Sequence, residues 1–270
     1  MPPSLGPIKA AARAELLERA LTSELGEPVR IEVASSYGQM VERVRQRVAD
    51  LAWAPAAVVA QIEGLALAIF KVVRNGASIY RSAIVARRDE PLTIEQLRGT
   101  RAAWVDPLSL GGYLLAVDCL RRRGLDPDRT FRSQTFHGSH PAALQAVLRR
   151  DADVAALTIV GAGEQDLRRG LQMHVGVDHR DFVMLAISEV APTDALLLTN
   201  RLTQAHADRI VARLFSPTKR RRAPSFLLSA LEAEAFEVAA PSEYAPLLRI
   251  VEHARAPARA SEPPPPSRPR

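Results

Sequence analysis

The stretch Trp104-Val105-Asp106-Pro107-Leu108-Ser109-Leu110-Gly111-Gly112-Tyr113 decides the fold. An apolar run stops at Asp-Pro, passes through a short Ser/Gly loop and continues into Tyr113 to Leu120, whose apolar residues repeat with helical spacing. The pattern predicts a strand, a tight loop and a helix. Such a helix points unpaired N–H groups and the positive end of its dipole at the space in front of it, which favours an anion. The loop is a candidate anion-binding turn, although the same pattern is also typical of a plain strand-to-helix connection.

The composition is that of a folded protein large enough for one big α/β unit or for two lobes. The chain has 270 residues, of which 47% are hydrophobic, and a formal net charge of +6. Much of the positive excess lies in arginine clusters such as Arg121-Arg122-Arg123. Aromatic residues make up only 5% of the chain, too few to stack bases between basic residues, so nucleic-acid binding is not indicated.

The single cysteine, Cys119, falls inside a helical apolar pattern. One cysteine excludes an intrachain disulfide, a C-x-x-C redox motif and a zinc cluster, so we expect a packing role and no cofactor. The first nine residues lack the pattern of a secretory signal, and no stretch approaches the roughly 20 apolar residues of a transmembrane helix. As written, the chain is therefore expected in the cytoplasm; a true start further upstream would instead allow a periplasmic protein.

Strand and helix patterns alternate along the chain, which predicts an α/β fold. The helices are expected near 10–25, 36–48, 56–61, 113–120, 141–148, 204–214 and 225–236. The strands are expected near 28–34, 49–53, 65–73, 80–87, 102–105, 131–136, 153–157, 182–187 and 194–199. From His253 the composition turns to Pro, Ala, Arg and Ser, which predicts a disordered tail over 253–270.

A weak internal repeat indicates two lobes. The order strand, Ser-containing loop, helix and Asp-Leu/Val-Ala strand occurs over 33–53 and again over 133–157. Two such lobes would face each other with their helix N-termini across a cleft, a common place for a small ligand.

Motifs of common enzymes are missing from the sequence. No G-x-S-x-G surrounds Ser109, no P-loop or H-E-x-x-H occurs, and Gly161-Ala162-Gly163 is better explained as a turn than as a dinucleotide fingerprint. A Ser109–His140–Asp106 triad is conceivable, but nothing marks Ser109 as activated. The histidines that could suggest a metal site are His137, His140, His174 and His179. His137 and His140 lie at a loop–helix junction with no carboxylate at ligand spacing, so surface or capping roles are favoured.

Small-anion recognition remains the chemistry that these residue types support. Ser109, the amides of Leu110 to Gly112, His140 and the helix start at Tyr37 could together surround an oxyanion with neutral donors. Taken singly, Tyr37 and a histidine beside an N-terminal proline are also typical of packing and capping.

An ordered set of segments resembles a known family. The segments are Ser36-Tyr37, Asp50-Leu51-Ala52-Trp53, Tyr80-Arg81-Ser82-Ala83-Ile84-Val85, Val105 to Tyr113, Gly138-Ser139-His140 and Asp153-Val154. In this order, over about residues 8–250, they resemble the phosphonate/phosphite/phosphate-binding proteins of ABC importers, which are type 2 periplasmic binding proteins. The resemblance implies a two-lobed α/β fold and the capture of a small oxyanion in the cleft for an importer permease, without catalysis.

The resemblance also implies the site residues and the lobes. Tyr37, Tyr80, Ser109 with the amides of Leu110 and Gly111, and His140 would hold the oxyanion, and Asp194 would meet a protonated or amine-bearing part of the ligand. The first lobe would comprise 1–88 and 190–252 and the second 89–189, with hinges near 87–91 and 188–193.

Three departures from the family pattern affect the expected ligand and start. Leu110 and Gly111 stand where the family's Asp-Pro-x-Ser-Thr-Ser-Gly-Tyr loop has two hydroxyls, and each lost charge-assisted bond could cost roughly 1.5–3 kcal/mol. Apolar Ile159-Val160 replaces a glutamate of aminophosphonate binders, which disfavours an amine-bearing ligand. The family's first strand, central in the first lobe's sheet, has no counterpart, which would leave neighbouring edges unpaired.

Two other functions stay open at this stage. The fold could serve as an intracellular ligand-sensing domain, or as an enzyme acting on a small carboxylate. The sequence names neither the ligand nor the oligomeric state.

Overall fold

A computed structural model describes residues 7–173, 179–215, 220–221 and 224–255. The α-helices are α1 (Pro7–Leu25), α2 (Tyr37–Arg45), α3 (Ala56–Ile62), α4 (Leu115–Arg122), α5 (Pro127–Thr130), α6 (His140–Leu148), α7 (Glu164–Met173), α8 (Gln204–Leu214), α9 (Ser225–Leu231) and α10 (Ala245–Arg255). The strands are β1 (Leu51–Ala54), β2 (Ala66–Val73), β3 (Ile79–Arg87), β4 (Arg101–Trp104), β5 (Ser133–Phe136), β6 (Val154–Ile159), β7 (Phe182–Ile187), β8 (Ala191–Pro192), β9 (Ala195–Thr199), β10 (Arg220–Arg221) and β11 (Ala235–Ala239). A π-helical turn, Leu110–Leu114, leads into α4.

The strands form two sheets, as the predicted two-lobed α/β fold requires. The first sheet has the order β1-β9-β2-β11-β10, and the second has the order β5-β4-β6-β3-β7. In the second sheet β4 runs parallel to β5 and β6, whereas β3 runs antiparallel to β6 and β7. Buried apolar clusters lie on both faces of each sheet, with helices packed over them. We call the units built on these sheets the first and second lobes.

Strand β3 corrects the predicted lobe boundary at residue 88. Its residues 81–87 pair with β6 and β7 in the second sheet, so the chain leaves the first lobe over the turn 74–78 and not over 87–91. The start of β3 pairs with β8, Ile79 opposite Pro192 and Tyr80 opposite Ala191. The outgoing and returning crossings therefore lie side by side.

The predicted strand 28–34 is wrong, because the segment bonds to α1 and not to the outer edge of β1, which has no partner among the described strands. These residues pair with no strand of the described chain. Two of their amides bond to α1 side chains instead: Val29 N donates to Thr22 Oγ1 (3.0 Å) and Ile31 N to Glu18 Oε2 (2.8 Å). A groove of about 470 Å³, lined by 28–34 on one side and 48–53 on the other, separates the segment from the first sheet.

The other differences lie near the C-terminus. The helix predicted over 225–236 ends at Leu231, because Glu232 adopts a left-handed conformation (φ 51°) and the chain turns into β11. Residues 253–255, predicted to be part of the tail, continue α10. The rest of the predicted tail, 256–270, and His174 lie outside the described residues.

Candidate functional site

The turn after β4 is shaped by its own polar side chains. Asp106 Oδ1 accepts from Leu108 N (2.7 Å), and Ser109 N donates to the Asp106 carbonyl (2.9 Å). Ser109 is the N-cap, and its Oγ accepts from Gly112 N at 3.1 Å. Ser109 therefore caps this helical turn. Its hydroxyl can still donate a hydrogen bond, so the cap is compatible with the predicted contact with a ligand.

Leu110 and Gly111 contribute to this turn in different ways. Both amides lie in the first helical turn, where backbone N–H groups have no intrahelical acceptor. The Leu110 side chain is 7% exposed and belongs to the same buried cluster as α2, α3 and α10 of the first lobe. Leu110 can therefore offer an amide to a ligand while its side chain joins the two lobes.

Gly111 sits in close contact with the second sheet. A Cβ atom built on Gly111 would overlap Thr158 Cγ2 and lie 3.1 Å from Tyr80 Cε2. The Gly111 carbonyl accepts from the fully buried Ser82 Oγ at 2.7 Å. The absence of a side chain at position 111 is thus what lets the turn rest on β3 and β6.

Tyr37 and His140 occupy equivalent positions in the two lobes. Each is the first residue of a nine-residue helix, α2 or α6. Each follows an N-cap serine whose hydroxyl accepts from the amide three residues on: Ser36 from Gln39 (3.1 Å) and Ser139 from Ala142 (3.3 Å). The predicted repeat is therefore present in the caps and helices, and it places an aromatic donor at a helix N-terminus in each lobe.

The His140 ring is oriented by the second sheet. Its Nδ1 lies 3.2 Å from the carbonyl oxygen of Ala156 in β6. A carbonyl only accepts, so Nδ1 carries the proton in this arrangement. Ala156 is two residues before Thr158, so His140 and the Gly111 turn contact the same strand.

Tyr80 lies at the crossing, with its ring against Gly111. Burial, together with the negative charge of Asp194, raises the pKa of Tyr80 above its ordinary value. The phenol is neutral at physiological pH and can donate a hydrogen bond.

Asp194 is already surrounded by donors. Its carboxylate forms an ion pair with Arg74, whose Nη2 lies 3.1 Å from Oδ2, and accepts from Trp53 Nε1 at 2.5 Å. Arg74 also donates to the carbonyls of Leu231 (2.6 Å) and Glu232 (2.9 Å). The Asp194 charge is thus compensated within the first lobe, and an amine of a ligand is not needed to neutralise it.

The structure brings some of the predicted residues together directly. Tyr80 meets Gly111, and Tyr37 and Tyr80 both pack against the cluster that contains Leu110. His140 contacts β6, the strand that also borders the Gly111 turn, and the negative charge of Asp194 contributes to the raised pKa of Tyr80. Sequence reasoning missed Ser82, Thr158 and Arg74, because only the pairing of β3 with β6 and the turn at the crossing bring them to the site.

A two-sheet fold with a candidate anion-binding turn where its lobes meet is the architecture expected of a two-lobed solute-binding protein. A sequence model of the phosphonate-type periplasmic substrate-binding proteins of ABC transporters matches residues 1–244. The chain belongs to this family. A search of curated protein sequences finds no match.

Solved structures share the fold. XAC2383 of Xanthomonas citri, bound to chloride, is 22% identical with a TM-score of 0.73, and the match covers 92% of this chain and 95% of that one. PhnD1 of Prochlorococcus marinus, in complex with methylphosphonate, is 16% identical with a TM-score of 0.64 over 90% and 92% of the two chains. A binding protein component of an ABC phosphonate transporter from Pseudomonas aeruginosa is 18% identical with a TM-score of 0.65 over 93% and 84%.

Family membership makes the chain a solute-binding component of an importer and not a member of an enzyme family. The family is normally periplasmic. Among the described helices, none combines the length and apolar character needed to span a bilayer.

Proposed function

We propose that the chain binds a small phosphonate-like oxyanion between its lobes and delivers it to an ABC permease. The observation that supports this most is the turn at Ser109 to Gly112, which offers amides in the first turn of a helix beside Tyr80. Tyr37, Tyr80, Ser109 and His140 would add neutral donors. Binding would favour the arrangement in which the two lobes are closed.

The proposed ligand carries no amine. Asp194, the acidic residue expected to meet one, is paired with Arg74 and Trp53. We propose that Asp194 acts on the site through this ion pair, and that its charge adds to the effect of burial in raising the pKa of Tyr80. Methylphosphonate and phosphite fit such a site better than aminoethylphosphonate.

Isothermal titration of the purified chain tests the proposal. The ligands are methylphosphonate, phosphite, phosphate, aminoethylphosphonate and sulfate, with ATP included because XAC2383 has been solved bound to it. We expect saturable binding of methylphosphonate or phosphite, and weaker binding of aminoethylphosphonate. Failure of every phosphorus oxyanion to bind at millimolar concentration would contradict the proposed function.

Tyrosine-to-phenylalanine variants locate the binding site. We expect Tyr37→Phe and Tyr80→Phe to weaken binding about tenfold each, because each removes one hydrogen bond to a charged ligand. Tyr113→Phe is the matched control, since the Tyr113 ring packs on Phe136 and Trp104. Equal affinity in all three variants would contradict the assigned tyrosines.

Delivery to a permease is a separate test. It requires the chain on the outer side of the inner membrane, so fractionation of cells expressing the tagged full-length gene product should recover it from the periplasm. Recovery from the cytoplasm alone would favour the ligand-sensing alternative.

A further inference from the structure

The second sheet presents a polar residue directly under the anion-binding turn. Thr158 lies on β6, where it is partly exposed while the other five residues of the strand are buried. Val154 and Ala156, which alternate with Thr158 on one face, belong to the apolar cluster that α4 covers. Thr158 lies further along the same face, beside the turn that leads into α4.

Two contacts fix the position of Thr158 relative to the site. Its Cγ2 occupies the space that a side chain at position 111 would take, and Tyr80 Cε2 borders the same space at 3.1 Å. Thr158 is also the cross-strand partner of Ser82, whose hydroxyl holds the Gly111 carbonyl at 2.7 Å. Thr158 therefore lies beside the turn and Tyr80, on the same strand that orients His140.

The Thr158 hydroxyl remains available at this position. Within the part of the chain that the structure describes, it forms no hydrogen bond. A partly exposed threonine in an otherwise buried strand, beside first-turn amides, suits an oxyanion better than it suits the core.

We propose that Thr158 is a binding and specificity-determining residue that supplies, from β6, a hydroxyl that the turn lacks at Gly111. The proposal rests on the proposed function, since the ligand is the same oxyanion. In this proposal the missing side chain at Gly111 and the threonine at 158 form one exchange: the hydroxyl is supplied by the neighbouring strand and not by the turn. A bound phosphonate oxygen then meets the Thr158 hydroxyl and the Gly111 amide together.

The decisive experiment compares two variants by titration with methylphosphonate and phosphite. Thr158→Val keeps the shape that contacts Gly111 and removes the hydroxyl, so we expect the Kd to rise about 10- to 100-fold with an unchanged melting temperature. Thr158→Ser keeps the hydroxyl and removes the methyl group, so we expect a Kd within about threefold of wild type. A Thr158→Val chain that binds as tightly as wild type overturns the assignment.

A double variant tests the exchange itself. Gly111→Ser alone should lower the melting temperature, because its Cβ overlaps Thr158 Cγ2. Adding Thr158→Ala removes that overlap and returns a hydroxyl to the turn, so the double variant should bind more tightly than Thr158→Ala alone. No gain in affinity in a folded double variant counts against the exchange.

These outcomes separate the two proposals. A wild-type chain that binds none of the phosphorus oxyanions overturns the proposed function and the role of Thr158 together. Wild-type binding that is insensitive to Thr158→Val overturns the role of Thr158 and leaves the proposed function standing.

Discussion

Position 111 shows how a missing side chain lets a turn pack closely against a sheet. The Gly111 backbone lies against Thr158 and Tyr80, and its carbonyl is held by a buried serine. Glycine here permits a close backbone approach, while the positive φ angles of the chain's glycines lie elsewhere. The resemblance implies that Gly111 replaces a hydroxyl residue, and glycine at this position also permits the close packing. Two stability measurements separate the contact with Thr158 from the hydrogen bond with Ser82.

Gly111→Ala should destabilise the chain. The added Cβ would overlap Thr158 Cγ2 in a sheet that leaves little room to move, at a cost of about 1–3 kcal/mol. Urea unfolding measures the change in free energy. Gly64→Ala is the control, since a Cβ there meets no atom within 4 Å; equal stability of Gly111→Ala and wild type would show that the sheet yields at no cost.

Ser82→Ala should also destabilise the chain, for a different reason. It leaves the Gly111 carbonyl without the Ser82 hydroxyl in a buried setting, which costs about 1–3 kcal/mol. Ser133→Ala, on the exposed surface of β5, serves as the control and should stay within about 0.5 kcal/mol. If the two variants unfold at the same urea concentration, the hydrogen bond to Gly111 contributes nothing measurable.

In each lobe, an aspartate directly before a strand of the internal repeat, β1 or β6, forms an ion pair with an arginine. Asp153 accepts from the Arg101 guanidinium at 2.7 and 3.1 Å and from its amide at 2.8 Å. This clamps the start of β6 to β4. Asp50 pairs with Arg201 at the start of β1, in a more exposed setting.

The Asp153 clamp predicts a dependence of stability on pH. The Arg101 guanidinium lowers the pKa of Asp153 below its ordinary value. A lowered pKa in the folded state adds stability above the unfolded pKa of about 4, and this stability is lost as pH falls through the folded value. Asp153→Asn should therefore cost about 1–2 kcal/mol at pH 7 and less at pH 3, measured by urea unfolding.

The matched control for this clamp is Asp50→Asn. Its pair with Arg201 is 40% and 47% exposed, so the substitution should cost less than about 0.5 kcal/mol at pH 7. A difference between Asp153→Asn and wild type that stays constant from pH 7 to pH 3 would argue against the ion pair as its source.

Local signals predicted the elements better than their partners. The helices predicted near 36–48 and 141–148 begin at Tyr37 and His140, each directly after an N-cap serine. Pairing is not local: the alternation over 28–34 is typical of a strand, yet among the described residues the segment pairs with no strand, although the outer edge of β1 is unpaired. The sequence predicts a helix that runs past the true end of α9. A helix end is often marked by a glycine in the left-handed conformation, but here a glutamate, Glu232, adopts it.

The sequence pattern also does not determine which of the two lobes a strand joins. The apolar pattern of β3 shows a buried strand but not which sheet it joins, so the sequence placed it in the first lobe and the structure places it in the second. Tyr80 therefore lies at the crossing between the lobes, opposite Ala191. The candidate site then lies where the two lobes meet, and the turn at Leu110 contributes to that contact.

Leu110→Ser should loosen the contact between the lobes. The Leu110 side chain, 7% exposed, is buried with residues of α2, α3 and α10, so its replacement should cost about 2–4 kcal/mol. Because this contact joins the second-lobe turn to the first lobe, the ligand-free variant should show a larger radius of gyration by small-angle X-ray scattering, and methylphosphonate should reduce it.

Leu108→Ser on the same turn separates this effect from a general loss of apolar side chains. Leu108 is 42% exposed, so its replacement should leave both stability and the radius of gyration near the wild-type values. If Leu110→Ser lowers stability without enlarging the ligand-free molecule, Leu110 stabilises the second lobe alone. If it enlarges the molecule and methylphosphonate reverses the change, the leucine that replaced a hydroxyl residue has become part of the contact that closes the lobes over the ligand.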